Sequence, residues 1–255
     1  MEKEKIILFY GCDSQVGTTM MALSAAEQLA AEGKSVLLIH GAGTPGNSFL
    51  SGELPGDIRS LYGNFADGTM DIKDLRELAS EQDEFDCLPG LGSWRPGRGW
   101  MDGILEEICR IAVRNWDYVI IDGGNCGEIS AGSDALALVG KIFLVATQQE
   151  KSLCRWKQRR KQMETIPKDC VCYVVNKFVD SRAFYTEKQL LQELACEEEK
   201  MVLIPYVPYG WQAEAEHRSL MKYRRFRKGI LKITETIKAE WEEKGTVNYD
   251  SGTGV

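Results

Sequence analysis

Apolar runs of strand length alternate with helical patterns along this chain. The runs are apolar at nearly every position, as expected of parallel strands buried on both faces. They lie at 5–10, 35–40, 85–90, 117–122, 141–147, 170–177 and 201–206. Helical periodicity fills the intervals at 19–32, 71–82, 101–115, 130–139, 150–165, 186–198 and 223–243. This order predicts an α/β fold, a doubly wound and mostly parallel sheet of about seven strands with helices on both faces.

The extent of the pattern predicts one domain. The chain has 255 residues, 44% of them hydrophobic, which is enough for a sizeable core. We assign residues 1–245 to a single domain and residues 246–255 to a flexible polar tail. In sheets of this kind ligands bind at the carboxyl ends of the strands, so the loops after the strands are the places to search.

Charge and cysteine content narrow the classes of function. The net charge of −7 disfavours general nucleic-acid binding, although a local basic patch remains compatible with it. We find no apolar run of transmembrane length, and the first residues, MEKEK, lack the apolar stretch of a signal peptide. The eight cysteines form no C-x-x-C pair, which favours reduced, mostly buried thiols. These features predict a cytoplasmic protein, which partners could bring to the periphery of a membrane or to a cell pole.

The loop between the first strand and the first helix, GCDSQVGTT (11–19), has the setting of a phosphate site. A strand, a glycine-bearing loop and a helix N-terminus aim backbone N–H groups at an anion. The usual pattern is G-x-x-x-x-G-K-[ST]. Gly17 and Thr19 match it, but Thr18 stands at the lysine position. By itself this is a weak match.

A second element, RNWDYVIIDGG, ends a buried strand in Asp122. A carboxylate at that position can hold Mg²⁺ directly or through water, and it can equally cap a turn. Thr19 and Asp122 follow separate strands of one predicted sheet in the order that a nucleotide site requires. Together they predict a Mg²⁺ site more specifically than either does alone.

At these residues the sequence resembles the MinD/ParA group of P-loop ATPases, and within it the TadZ/CpaE branch, which positions Tad-type pilus machinery. The resemblance extends over nearly the whole chain and includes WDYVIIDGG, similar to the family's Walker B strand, and IFLVATQQEKSLCRWKQ. The V-G-T-T loop is similar to loops of the TadZ/CpaE branch. The resemblance implies ATP with Mg²⁺ as cofactor, a nucleotide-responsive homodimer, and pilus or secretion-system proteins as partners.

The loop departs from the family pattern, so we describe it as a degenerate Walker A loop. Asp13 stands where the family has a lysine that reaches across a dimer, followed by Ser14 and Gln15 in place of glycines. The stretch after the second strand, HGAGTPGN, also lacks the family's carboxylate. Two missing lysines would remove roughly 3–6 kcal/mol of phosphate binding, and Asp13 adds repulsion unless a cation offsets it.

The same resemblance implies further nucleotide contacts beside Gly17, Thr18 and Thr19. Asn176 ends a strand at the position where the family reads adenine, and it could equally be a polar cap. The segment from Pro205 to Pro208 would line the base pocket, or would simply be a loop after the last strand. Asn47 would face the γ-phosphate. We assign no catalytic residue.

Basic residues cluster at 155–161 and 218–228. Such faces are usually solvated, and a docking patch for acidic partners, anionic lipid or DNA is the functional alternative. Phe226, Ile230, Ile233, Ile237 and Trp241 recur at helical spacing, which favours core packing over a membrane anchor.

Three functions remain open. The first is a nucleotide-responsive positioning protein that recruits pilus or secretion components. The second is a pseudo-ATPase scaffold that acts by protein interaction without hydrolysis, favoured by Asp13 and Thr18. The third is ParA-like DNA partitioning, disfavoured by the net charge.

Overall fold

An eight-stranded sheet forms the centre of the fold. The computed structural model describes residues 2–41, 56–82, 84–90, 103–125, 135–160 and 166–247. The strands are β1 (Ile6–Gly11), β2 (Val36–His40), β3 (Ser80–Gln82), β4 (Phe85–Leu88), β5 (Tyr118–Asn125), β6 (Lys141–Thr147), β7 (Val171–Phe178) and β8 (Met201–Pro205). Their order is β3-β4-β2-β5-β1-β6-β7-β8, and only the β3–β4 pair is antiparallel. The predicted doubly wound, mostly parallel sheet is therefore confirmed.

Helices cover both faces of this sheet, as the alternating pattern predicted. They are α1 (Thr18–Ala31), α2 (Tyr62–Ala66), α3 (Ile72–Leu78), α4 (Ile104–Ala112), α5 (Glu150–Arg159), α6 (Glu187–Leu194), α7 (Gly210–Ala215) and α8 (Arg224–Val247). Residues of α1 and α8 belong to one buried apolar cluster, and residues of α3, α4, α5 and α6 belong to the other. The strands contribute alternate side chains to the two clusters because successive Cβ atoms point to opposite faces.

The helix predicted over 71–82 is wrong in its second half. Asp71 caps α3 through a reciprocal capping box with Asp74, which fixes the start of the helix. The backbone becomes extended at Ala79, and β3 then pairs with β4 as the antiparallel edge of the sheet. The polar residues of β3 lack the apolar signature by which the other strands were recognised. Helix α7 was likewise not predicted, because its six residues are too few to show a period.

The apolar stripe of the last helix packs in the core, as its spacing predicted. Phe226, Ile230, Ile233 and Ile237 are all buried against the sheet. Helix α8 continues to Val247, into the segment predicted as a tail. The side chain of Trp241, residues 248–255, Asn47 and Cys126 lie outside the described residues, as does the first half of the helix predicted over 130–139.

The strand order positions the loop after β1. Strand β1 lies between β5 and β6, and the chain leaves it toward β2 on one side of the sheet and later toward β6 on the other. Loops that diverge in this way open a crevice at the carboxyl ends of the strands. The residues beside the β1–α1 loop are therefore those that end β5 and those that follow β6.

No helix in the described part of the chain is long and apolar enough to cross a membrane. The described cysteines are all free thiols, and Cys12, Cys87, Cys109 and Cys172 among them are buried. Burial raises the pKa of the Cys109 thiol to about 12, with a smaller contribution from Glu106. Thiols of this kind are inert at neutral pH, in agreement with their prediction as structural residues.

Candidate nucleotide site

The β1–α1 loop folds over the carboxyl end of the sheet. The Cys12 amide donates to a carbonyl of β6 at 2.8 Å, which ties the loop to the neighbouring strand. Gly17 precedes the helix with φ +94°, and a Cβ there would lie 2.4 Å from Asn176 Nδ2. A Cβ on Gly11 would lie 2.4 Å from Thr18 Oγ1. Both positions therefore require glycine, and the loop delivers the chain into the N-terminus of α1, whose first N–H groups have no partner within the helix.

Two residues at the end of β7 hold the loop in place. Asn176 Nδ2 donates to the Val16 carbonyl at 2.8 Å, and Asn176 Oδ1 accepts from the Lys177 amide at 2.8 Å. Lys177 Nζ donates to the Gln15 carbonyl, also at 2.8 Å. Asn176 is buried and uses its amide to position the loop backbone, a contact that sequence reasoning did not foresee. These bonds fix the loop from a strand that is not adjacent to β1.

On one side of the loop, which we call the metal side, the two residues predicted to bind Mg²⁺ are in direct contact. Thr19 Oγ1 donates to Asp122 Oδ2 at 2.7 Å. The Gly124 amide donates to Asp122 Oδ1 at 3.2 Å, and Asp122 is only 1% exposed. Asp122 comes from β5 and Thr19 from the first turn of α1, so the fold itself brings together residues that are 103 positions apart.

His40 is a third residue of the metal side, and sequence reasoning missed it. It ends β2 in register with Asp122, and its Nδ1 lies 3.4 Å from Asp122 Oδ2. The backbone of Gly90 packs so closely that a Cβ there would lie 2.2 Å from the His40 carbonyl oxygen. A polar residue ending an apolar strand was the available signal.

Asp122 also contributes to the raised pKa of a neighbouring thiol, Cys87. Burial raises the pKa of Cys87 well above its usual range, and the nearby carboxylates of Asp122 and Asp86 raise it further. Among the described residues, no group of three or more His, Cys, Asp and Glu side chains could hold a metal ion. A cation on the metal side would therefore complete its coordination with phosphate and water oxygens, as Mg²⁺ does in nucleotide sites.

On the opposite side of the loop, which we call the outer side, Asp13 lies among cations. Its carboxylate forms an ion pair with Arg155 Nη1, and Lys151 Nζ lies 3.4 Å from its other oxygen. The Ser14 amide donates to Asp13 Oδ1 at 2.7 Å. Asp13 is 4% exposed, whereas the side chains of Arg155 and Lys151 are 45% and 61% exposed. The repulsion expected from Asp13 is thus offset by two residues of α5.

These contacts change the interpretation of the basic segment 155–161. Arg155 is committed to Asp13, and Lys157 Nζ forms an ion pair with Glu193 of α6. Residues 161–165 lie outside the described residues. The first part of the segment therefore serves ion pairs within the fold. In the second basic segment Arg218 forms an ion pair with Glu216.

The segment predicted to line the base pocket follows β8, at the same carboxyl end of the sheet as the loop. Pro205 ends β8, and the Tyr206 amide donates to the Phe178 carbonyl at 2.9 Å, which joins the segment to the end of β7. Pro205 is half-buried and Pro208 is exposed. Neither proline contacts the loop directly through a hydrogen bond. The end of β7 joins the two regions, because Asn176 and Lys177 bond to the loop and Phe178 bonds to Tyr206.

Two cavities lie away from this loop. One of about 490 Å³ is lined by residues of α1, β3 and the segment before α8, and one of about 690 Å³ is lined by residues of β6, β7, α5 and α6. Neither lining includes a residue of the β1–α1 loop. The loop itself forms an open cradle at the carboxyl ends of the central strands, built from backbone amides and the N-terminus of α1.

Solved structures of similar fold place this architecture among ParA and MinD ATPases. A ParA family ATPase from Chlorobium tepidum TLS superposes with a TM-score of 0.72 at 17% identity, over 91% of this chain and 97% of that one. The MinD cell division protein of Aquifex aeolicus gives a TM-score of 0.71 at 17% identity, over 93% and 97% of the two chains.

A third structure with this fold contains nucleotide. The septum site-determining protein MinD from Pyrococcus horikoshii OT3, complexed with Mg-ADP, gives a TM-score of 0.68 at 15% identity, over 95% of this chain and 98% of that one. No protein-family model and no curated protein sequence matches the chain. At these identities the similarity establishes the fold, which is that of the MinD/ParA P-loop ATPases.

Proposed function

We propose that this chain binds Mg·ATP at the β1–α1 loop and acts as a nucleotide-responsive positioning protein. The observation that carries the proposal is the contact between Thr19 Oγ1 and Asp122 Oδ2 at 2.7 Å. A hydroxyl and a carboxylate are hard oxygen donors of the kind that Mg²⁺ prefers, and they meet beside a helix N-terminus suited to phosphate. The fit supports Thr19 and Asp122 as the residues that would hold the cation.

Each element of the cradle has a defined part in this proposal. The amides at the start of α1 and those of the loop that follow Ser14 would bind the phosphate oxygens. Bound Mg²⁺ would neutralise phosphate charge, and Asp122 would hold it directly or through water. Asn176 and Lys177 keep the loop in the required shape through the carbonyls of Val16 and Gln15. Pro205 and Pro208 would lie on the side of the adenine.

The loop from Gly11 to Thr19 contains no lysine, which shapes the expected activity. Without the two lysines of the family pattern, affinity would fall by about 10²–10⁴-fold relative to a complete loop. Hydrolysis would suffer more, because phosphoryl transfer depends on charge stabilisation in the transition state and on a positioned water. The proposal therefore assigns signalling to nucleotide binding rather than to rapid turnover.

The proposed output is a homodimer that recruits other proteins. We propose that nucleotide orders the dimer and that the dimer places or assembles Tad-type pilus or secretion machinery. This part rests on the resemblance to the TadZ/CpaE branch. The similarity of the fold to MinD and ParA ATPases is compatible with it.

One observation favours a second candidate, a pseudo-ATPase scaffold. The Asp13 carboxylate already pairs with Arg155 and Lys151 and accepts the Ser14 amide, so these cations have a partner without a phosphate. A scaffold would keep the fold and its partner surfaces and dimerise without nucleotide. The two candidates differ in whether ATP binds at all, which a titration decides.

The test is calorimetric titration with Mg·ATP and with ATP in excess EDTA, up to low millimolar ligand. We expect saturable binding that needs Mg²⁺ and that Asp122→Asn or Thr19→Val weakens at least tenfold. Asp117→Asn is the matched control, because Asp117 precedes the same strand at its opposite end and contacts Ser35. Absence of binding by the wild-type protein and by loop variants would overturn the proposal and leave the scaffold.

A further inference from the structure

The carboxylate of Asp13 has the surroundings of a bound anion. It accepts the Ser14 amide at 2.7 Å, forms an ion pair with Arg155, and has Lys151 Nζ at 3.4 Å. A backbone N–H, a guanidinium and an ammonium are the groups with which proteins bind phosphate. The donors come from the loop itself and from α5, on the outer side of the proposed cradle.

The three side chains differ in how freely they can rearrange. Asp13 is 4% exposed and belongs to the loop, whereas Arg155 and Lys151 project from α5 and are about half exposed. The long side chains of Arg155 and Lys151 keep their charged ends accessible to solvent and ligand, and α5 begins directly after β6, the neighbour of β1. The cations can therefore exchange a carboxylate for a phosphate without movement of the sheet.

We propose that Asp13 is an internal competitor of the nucleotide triphosphate, and that Arg155 and Lys151 are the cations that bind the phosphates once it is displaced. This inference rests on the proposed nucleotide binding and deepens it. Arg155 and Lys151 take the part of the lysines that the loop lacks. Asp13 keeps them beside the loop in the absence of ligand and sets a threshold that the nucleotide must overcome.

The competition predicts opposite effects for the two partners of one ion pair. Asp13→Asn removes the competing charge and releases both cations, so Mg·ATP should bind about ten- to a hundred-fold more tightly. Arg155→Gln removes a phosphate contact and leaves Asp13 less compensated, so binding should weaken by a similar factor. In a purely structural ion pair both variants would loosen the loop and weaken binding together.

The experiment measures Mg·ATP affinity by calorimetry for four proteins: wild type, Asp13→Asn, Arg155→Gln and the double variant. We expect the gain from Asp13→Asn to be severalfold smaller in the Arg155→Gln background, because only Lys151 is then left to be released. Lys157→Gln is the matched control, since Lys157 lies on the same helix but forms an ion pair with Glu193. It should leave the affinity unchanged.

The outcomes separate this inference from the proposed function. Binding by wild type with no gain in Asp13→Asn, or an equal gain with Arg155 absent, overturns the competition and leaves nucleotide binding intact. Binding seen only after Asp13→Asn supports it most strongly. No binding by any of the four overturns both. Urea unfolding confirms that each variant is folded, and Asp13→Ser replaces Asp13→Asn if the latter is not.

Discussion

Two nearly buried aspartates, one in the β1–α1 loop and one beside it, differ in the charge of the side chains that contact them. Asp122, on the metal side, is met by a hydroxyl, an amide and an imidazole. Asp13, on the outer side, is met by an arginine and a lysine. Among the described residues, no lysine or arginine forms an ion pair with Asp122. One carboxylate is contacted by side chains other than lysine and arginine, and the other is paired with two cations of the fold.

The two surroundings show how positive charge lies beside a loop that contains no lysine. Both carboxylates are nearly inaccessible, and a buried charge is tolerated only when it is paired or hydrogen-bonded. Asp122 is contacted by a hydroxyl, a backbone amide and an imidazole, which under the proposed function leaves it as the ligand for Mg²⁺. Cations from a neighbouring helix stabilise Asp13 and concentrate positive charge at the outer side. The cations are thus present in the fold although they are absent from the loop.

The largest effect should come from the residue that fixes both sides at once. Gly17→Ala forces an alanine into φ +94° and places its Cβ 2.4 Å from Asn176 Nδ2. We expect a loss of about 3 kcal/mol in the free energy of unfolding, from about 1–2 kcal/mol for the left-handed backbone and about 1–3 kcal/mol for overpacking.

Gly33→Ala separates these two contributions. Gly33 has φ +82° and no atom within 4 Å of an added Cβ, so it carries the backbone cost alone. Urea unfolding of both variants should show Gly17→Ala as the more destabilising. Equal losses would mean that the contact with Asn176 does not constrain the loop. The loop would then not be the rigid element that holds Asp13 and Thr19 in place on its two sides.

The next effect tests the outer side. Arg155→Glu replaces the partner of a nearly buried carboxylate by a like charge, with Lys151 left to compensate in part. We expect a loss of about 2 kcal/mol in urea unfolding. Lys157→Glu makes the same change on the same helix against the more exposed Glu193, where about 1 kcal/mol or less is expected. If the two losses are equal, Asp13 is no more dependent on its cations than a surface residue is.

Most of the sheet could be predicted because buried parallel strands are apolar on both faces. Runs such as 141–147 match their observed strand completely. The edge strand Ser80–Gln82 could not be predicted, since it pairs on one side only and has polar residues. The other edge strand, β8, was predicted because its residues are apolar, so the polar composition of β3 is what hides it in the sequence.

The site divides in the same way. Thr19 and Asp122 each follow a recognisable strand, so their approach could be predicted from the order of the elements. The partners of Asp13 could not, because Arg155 is 142 residues away on a helix whose rotation about its axis no local pattern fixes. The use of Asn176 as a support for the loop depends on loop conformation, which sequence spacing does not encode.

The metal side is tested by Thr19→Val, which keeps the shape of the side chain and removes the donor to Asp122. A hydrogen bond to a charged group contributes about 1.5–3 kcal/mol, and we expect the lower end because Gly124 and His40 still contact the carboxylate. Thr18→Val is the control, since that neighbouring hydroxyl makes no bond to Asp122. If Thr19→Val and Thr18→Val lower the free energy of unfolding equally, the hydroxyl of Thr19 does not stabilise the Asp122 carboxylate, and the proposed difference between the two aspartates is wrong for the metal side.

The smallest effect concerns Asp117, a carboxylate that precedes β5 at the end opposite Asp122 and contacts only neutral donors of one residue. Hydrogen bonding from the Ser35 amide, at 2.8 Å, and from its hydroxyl lowers the pKa of Asp117, with Lys34 and Lys5 adding to the effect. A lowered folded-state pKa gives stability that is present above the unfolded value, about 3.9, and lost as the pH falls through the folded value. Asp117 is exposed, so solvent screening limits the contribution to less than about 1 kcal/mol.

Wild type should therefore exceed Asp117→Asn in unfolding free energy at pH 6, and the difference should shrink by pH 3. A difference that stays constant over this range would show that the bond to Ser35 does not depend on the charge of the carboxylate.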